Sequence, residues 1–194
     1  MQVVPARGYR GFTLIELMVA LAVLAVMFVA AAPSFADFFE RYRLRSAVDD
    51  TVSLFATARQ GAVEEDRNVN VAVGGDTSNW CVGAVQQAVP GLYQPVGLTP
   101  TACNCVTAPN TCVVNGETLV VDGSGRPGVK LAAGGTTFAY DSKNGTLADL
   151  TATPSVEFIS PSDKYRLRVL VSALGQARAC VPAGKRPIPG YPSC

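Results

Sequence analysis

Residues 11–36 read GFTLIELMVALAVLAVMFVAAAPSFA. Within this stretch, Leu17 to Ala32 is sixteen residues without a polar side chain. With Phe12 to Leu17 in front and Pro33 to Phe39 behind, the span exceeds the roughly 20 residues a helix needs to cross the hydrocarbon core of a bilayer. Its single charge is Glu16, near the start, and a short piece carrying Arg7 and Arg10 precedes it. The pattern predicts a retained membrane helix. The excess of cations before it leaves the N-terminus in the cytoplasm and sends the bulk of the chain across the membrane. The competing reading is a cleaved signal peptide, with Ala30-Ala31-Ala32 as its small-residue exit. Glu16 inside the apolar run, and the length of that run, argue for retention.

The rest of the chain is long enough for one domain with its own core. A formal charge of +1 points to no partner by itself, but its distribution is uneven. Lys164 to Cys194 holds six basic residues and no acidic one. Six cysteines outside the cytoplasm suggest disulfides: Cys81, Cys103, Cys105, Cys112, Cys180 and Cys194. Cys103 and Cys105 look to Cys81, Cys112 or other spatial neighbours rather than to each other. A Cys180–Cys194 bridge would close a short loop.

The chain has no histidine, so the commonest general base and neutral metal ligand are missing. No G-x-S-x-G occurs either, and the sequence offers no catalytic constellation. Cys103-x-Cys105 is too tight for the usual zinc knuckle. Asp122-Gly123-Ser124-Gly125 lacks the ligand spacing of a calcium loop and reads as a turn. No cofactor or metal is expected.

After Pro33, Phe35 to Gln60 contains no glycine or proline. Leu44, Val48, Thr51 or Val52, Phe55 and Ala58 recur at steps of three and four, the helical period. Arg41, Arg45, Asp49, Asp50 and Arg59 are expected on the opposite side. Pro33 is a potential kink, and Gly61 a plausible stop, with Ala62 to Asp66 able to add a turn. Alternation then predicts strands at Asn68–Val73, Asn79–Val85, Glu117–Val121, Thr136–Tyr140, Ser155–Ser160, Tyr165–Ser172 and Gln176–Val181. In Tyr165–Ser172, Leu167, Val169 and Val171 should face one side, and Arg166, Arg168 and Leu170 the other. Pro90 to Ala108 reads as loop, with Pro90-Gly91 a turn. The fold class is α+β: a long N-terminal transmembrane and amphipathic helix packed on an antiparallel β-sheet or sandwich.

Gly11-Phe12-Thr13-Leu14-Ile15-Glu16-Leu17 resembles the processing and methylation motif of type IV prepilins and type II secretion pseudopilins. The resemblance implies cleavage after Gly11 by prepilin peptidase and N-methylation of Phe12. It divides the chain into a leader (1–11), a transmembrane and filament-core helix half (12–36), an amphipathic half packed on the domain (37–61) and a β-rich disulfide-bonded domain (62–194). A carboxylate in hydrocarbon is costly and usually has a partner or a function. Four residues from Phe12, Glu16 can meet its own chain's new amine or, as the resemblance favours, that of a neighbouring subunit. Phe12 and Glu16 are therefore the candidate assembly residues.

The helix, Asn79-Trp80-Cys81-Val82-Gly83, Tyr165-Arg166-Leu167 and Gly175-Gln176-Ala177-Arg178 resemble the GspH/FimT group of minor pilins and pseudopilins. The implied partners are other minor pilins and the major pilin, through helix-bundle and lateral contacts, together with the inner-membrane assembly platform. The implied locations are the inner membrane before assembly and an extracellular pilus tip or periplasmic pseudopilus after it. DNA is a further candidate partner. Arg178, Lys185, Arg186 and Tyr191 could bind phosphates by charge and stack on a base, and Gly184-Lys185-Arg186-Pro187 loosely resembles the Gly-Arg-x-Arg motif of DNA-binding FimT-like pilins.

Overall fold

The computed structural model describes residues 12–87, 103–132 and 137–194, with the side chains of 30–34 left aside. The expected turn at Pro90-Gly91 and the residue Thr136 lie outside these residues. Two compact units divide the chain after Phe39.

Helix α1 spans Leu14–Glu64, 51 residues, and passes through both Pro33 and Gly61. Its start is capped by Thr13, whose Oγ1 accepts the Glu16 N–H at 3.3 Å. Thr13-x-x-Glu16 is a capping-box spacing, a local signal that the apolar run overshadowed. Among the described residues no helix is long and apolar enough to cross a membrane. The described side chains of the apolar run stop at Val29.

In the second unit the buried stripe of α1 is Leu44, Ala47, Val48, Thr51, Leu54, Phe55, Ala58 and Ala62. The helix continues past Gly61 for a tertiary reason. A Cβ there would sit 2.4 Å from Val114 Cγ1, so the bare backbone admits a neighbouring hairpin. The end comes one turn later. The Arg67 N–H donates to Ala62 O at 3.1 Å, and Asp66 takes φ +47°. This is the six-to-one closure of a Schellman motif, with aspartate in the position that glycine usually fills.

Strands β1 (Val69–Gly75), β2 (Trp80–Gln86), β5 (Val120–Asp122) and β7 (Phe138–Tyr140) form one antiparallel sheet, ordered β5-β2-β1-β7. Strands β6 (Lys130–Leu131), β8 (Ser155–Ile159), β9 (Arg166–Val171) and β10 (Ala177–Cys180) form a second, ordered β10-β9-β8-β6. Between β2 and β5 in sequence lie a 3₁₀ turn at Pro109–Thr111 and the hairpin β3 (Val113–Val114) to β4 (Glu117–Thr118). The expected strand over Glu117–Val121 is thus two strands. Leu119 is the break: its carbonyl bonds Ala84 while its N–H bonds Cys112 O.

Both sheets and the helix stripe contribute to one core, which holds Val71 and Val82 from the first sheet and Phe158, Leu167 and Val169 from the second. Trp80 joins the layers. Its ring lies 4.9 Å from that of Phe158, and its Nε1 donates to Val129 O at 2.8 Å, satisfying the indole as burial demands. In β9, Leu167, Val169 and Val171 are buried while Arg166, Arg168 and Leu170 are half-buried. The α+β class and its antiparallel sheets are as the sequence pattern implied.

Candidate functional site

Two surfaces stand out. The first is the N-terminal stretch of α1. Phe12, Leu14, Ile15, Leu17, Met18 and Phe28 are all exposed, Phe12 at 87% and Phe28 at 72%. Such a continuous apolar surface marks contact with a membrane or with other chains rather than with water. Glu16 is exposed in the same stretch, the only charge from Phe12 to Val29.

The second is the lobe after β10. Cys180 and Cys194 are bridged with Cα atoms 5.0 Å apart. Val181 lies between two arms of this lobe, donating its N–H to Pro192 O at 2.8 Å and accepting the Cys194 N–H at 2.9 Å. Ile188 anchors the lobe in the main core. The helix holds its far side: Arg45 Nη2 donates to Pro189 O at 2.7 Å, and the Tyr191 hydroxyl donates to Asp49 Oδ1 at 2.7 Å. Burial, followed by the Asp49 carboxylate, pushes the Tyr191 phenol above its ordinary value, with Arg45 opposing.

These contacts sort the four residues considered for DNA. Arg178, Lys185 and Arg186 are exposed, with the Arg186 guanidinium 5.5 Å from the Tyr165 ring centroid. Tyr191 is the half-buried one. Its ring packs on the core and under Arg45, 5.9 Å from the centroid, so it already braces the lobe against the helix.

A correction concerns the polar side chains of α1 expected on its far side. Three of them flank the buried stripe and reach the chain's own loops, Arg45 to Pro189 O, Asp50 to Arg126 and Arg59 Nε to Gly145 O, and Arg43, which was not in that set, reaches Pro127 O. Asp49 and Asp50 thus find partners inside their own subunit. At the start of the unit, Glu40 accepts both the N–H and the hydroxyl of Ser162. Burial opposes ionisation there, but bonds from Ser160 and Ser162 and the Lys164 charge hold the carboxyl below 4.5.

The other cysteines form Cys81–Cys105 and Cys103–Cys112. Both bridges lie against β2 at Gly83, where a Cβ would come within 2.7 Å of Cys103 Sγ and 2.8 Å of Cys112 Sγ. No group of three or more potential metal ligands occurs among the described residues.

Residues 6–32 match the prokaryotic N-terminal methylation motif. Two fimbrial proteins of Pseudomonas aeruginosa are each 33% identical to this chain over 63 residues, 32% of this chain and 40% of theirs. The chain thus matches less than half the length of these relatives. Among solved structures, it is similar to the minor pseudopilin EpsH from the type 2 secretion system of Vibrio cholerae, at TM-score 0.47 and 10% identity over 72% of this chain and 97% of that one. It is also similar to the type IV minor pilin FimU of Pseudomonas aeruginosa, at TM-score 0.45 and 15% identity over 77% and 92%. The methylation motif thus stands at the start of a long helix that leads into an antiparallel α+β domain, and the chain is similar to pilins and pseudopilins.

Proposed function

We propose that this chain is a minor pilin that helps prime a type IV pilus and forms part of its tip complex, and that its work is assembly rather than catalysis. The observation that carries this reading is the exposed apolar start of α1 with Glu16 as its one charge. Before assembly, lipid covers that surface and holds the chain in the inner membrane; after it, neighbouring helices do. Removing Gly11 and everything before it frees the Phe12 amine, the natural counter-charge for a carboxylate in an apolar bundle. The globular unit then offers lateral surfaces to other pilins. Partners on this reading are the other minor pilins, the major pilin, prepilin peptidase and the inner-membrane assembly platform.

Mass spectrometry of the mature N-terminus tests the reading. N-methylated Phe12 is the expected result, and a start near Pro33 would overturn it. The runner-up is a type II secretion pseudopilin of the GspH type, which the same motif serves equally; loss of enzyme secretion rather than of twitching in a deletion strain would select it. DNA binding by the C-terminal lobe has narrower support, because Tyr191 is engaged, but Lys185 and Arg186 are exposed. If it occurs, the protein shifts duplex DNA at low salt, and Lys185→Ala with Arg186→Ala weakens the shift.

A further inference from the structure

Strand β10 is an edge of its sheet, and the phase of its hydrogen bonds is fixed at both ends. At the β9–β10 turn, the Ser172 N–H donates to Gln176 O at 3.0 Å. With Ala177 opposite Val171 and Arg178 opposite Leu170, antiparallel alternation makes Arg178–Leu170 and Cys180–Arg168 the bonded pairs. The N–H and C=O of Ala177, Ala179 and Val181 therefore point away from β9. Val181 supports this phase independently, since its outward N–H and C=O are the ones taken by Pro192 and Cys194. The chain's own tail occupies the last outward position and stops there. Among the described residues nothing pairs with the outward groups of Ala177 and Ala179.

The flank of this edge is chemically particular. Arg178 is exposed on it. Beside it runs an open groove of about 400 Å³, lined by Pro154, Leu170, Ala177 and Arg178 among others. Leu174, at the adjoining turn, is 64% exposed. The cations of the neighbouring strand are already served: Arg166 and Arg168 share the carboxylate of Glu157.

We propose that the outer edge of β10 receives an extended segment of a different chain, which bonds the N–H and C=O of Ala177 and Ala179, sets an acidic side chain opposite Arg178 and places an apolar one in the groove. Unpaired strand edges recognise extended backbone, and side-chain pockets supply the selectivity. A second copy of this chain is a poor occupant, because the antiparallel register that uses both Ala177 and Ala179 of each β10 sets the two Arg178 side chains opposite each other, and like charges opposed across a strand pair repel. An acidic residue in that place attracts instead. The inference concerns the globular unit alone and stands whether or not the helix reading holds.

The probe is the acetylated peptide Thr-Val-Glu-Val-Thr amide, with the same peptide carrying Lys at its centre as control. Amide hydrogen exchange is followed in the full-length protein in detergent micelles. At saturating Glu peptide, the Ala177 and Ala179 amides should slow at least about tenfold while those of Arg178 and Cys180, already bonded to β9, hold their rates. The Lys peptide should bind about two- to fivefold more weakly, the scale of one cross-strand charge pair, and Arg178→Glu should reverse that order. Ala179→Pro removes an outward donor that the β9 ladder does not use; it should abolish binding at an unchanged melting temperature. Unaltered exchange at Ala177 and Ala179 with millimolar peptide, equal binding of both peptides, or protection of these amides by self-association alone would each overturn the proposal.

Discussion

The hydroxyl of Tyr191 donates to the carboxylate of Asp49 at 2.7 Å, joining residues 142 positions apart. One end is on the amphipathic helix and the other in the C-terminal lobe. Tyr191→Phe keeps the ring on the core and deletes only this bond. Because Asp49 is exposed, water can replace the lost partner, and the cost should be near the low end of a hydrogen bond, about 0.5–1 kcal/mol by urea unfolding. Burial, then the Asp49 carboxylate, raises the Tyr191 pKa. Its stabilisation is therefore complete below the unfolded value near 10 and is lost as pH climbs above it. The wild-type melting temperature should fall more steeply above about pH 10 than that of the phenylalanine variant.

The Glu40–Ser162 clasp has the opposite pH dependence. Its carboxyl is held below the ordinary 4.5, so its contribution is full above that value and disappears as pH falls beneath it. Glu40→Gln should lower the melting temperature at neutral pH and leave it close to wild type near pH 3. Equal losses at both pH values would show that the charge is not what Ser162 recognises.

Gly61→Ala sets two effects against each other. Helix propensity favours alanine by about 1 kcal/mol. The new methyl, however, lies 2.4 Å from Val114 Cγ1, on a β-branched side chain with little rotamer freedom. Overpacking of this kind costs about 1–3 kcal/mol, so the variant should be less stable overall. Adding Val114→Ala should recover part of that loss in a double-mutant cycle.

Replacing both Cys180 and Cys194 by serine should destabilise the globular unit by about 3 kcal/mol, the chain-entropy value for a closure of 14 residues. It should also quicken exchange of the backbone amide at position 194, which bonds Val181 O in the unaltered chain. A stable variant with unchanged exchange would mean that Ile188 and Tyr191 alone hold the lobe.

Glu16→Ala leaves the apolar surface intact and removes its one charge. Membrane insertion should persist while incorporation into filaments or their priming complex drops at least about tenfold, the order expected when an amine in an apolar bundle loses its counter-charge. Undiminished incorporation would show that this carboxylate does not guide docking.

Where the chain's local pattern and its tertiary environment agree, the sequence was readable. Leu167, Val169 and Val171 alternate with arginines, and the structure buries them; Leu44, Val48, Phe55 and Ala58 keep the helical step, and all four are buried. Features that depend on distant partners were not legible. Strands β3 and β6 have two residues each, too few for any period, and exist because β4 and β8 pair with them. Gly61 looks like a stop because glycine is a poor helix former; only Val114, far along the chain, explains why the helix runs through it. Tyr191 looked like a free aromatic among prolines, since nothing nearby in sequence announces Asp49 or Arg45. Thr13-x-x-Glu16 is a local signal for the helix start, legible from spacing alone because its partner is three residues away.

The bare backbone at Gly83 carries a consequence for how the chain is cross-linked. Two sulfur bridges rest on that one spot of β2, and Cys103 and Cys105, two positions apart, contribute one sulfur to each. Cys81–Cys105 ties the segment after β2 back to that strand, and Cys103–Cys112 closes the segment on itself against the same spot. A side chain at residue 83 would collide with both bridges, so glycine is what lets two covalent cross-links share one position of the sheet.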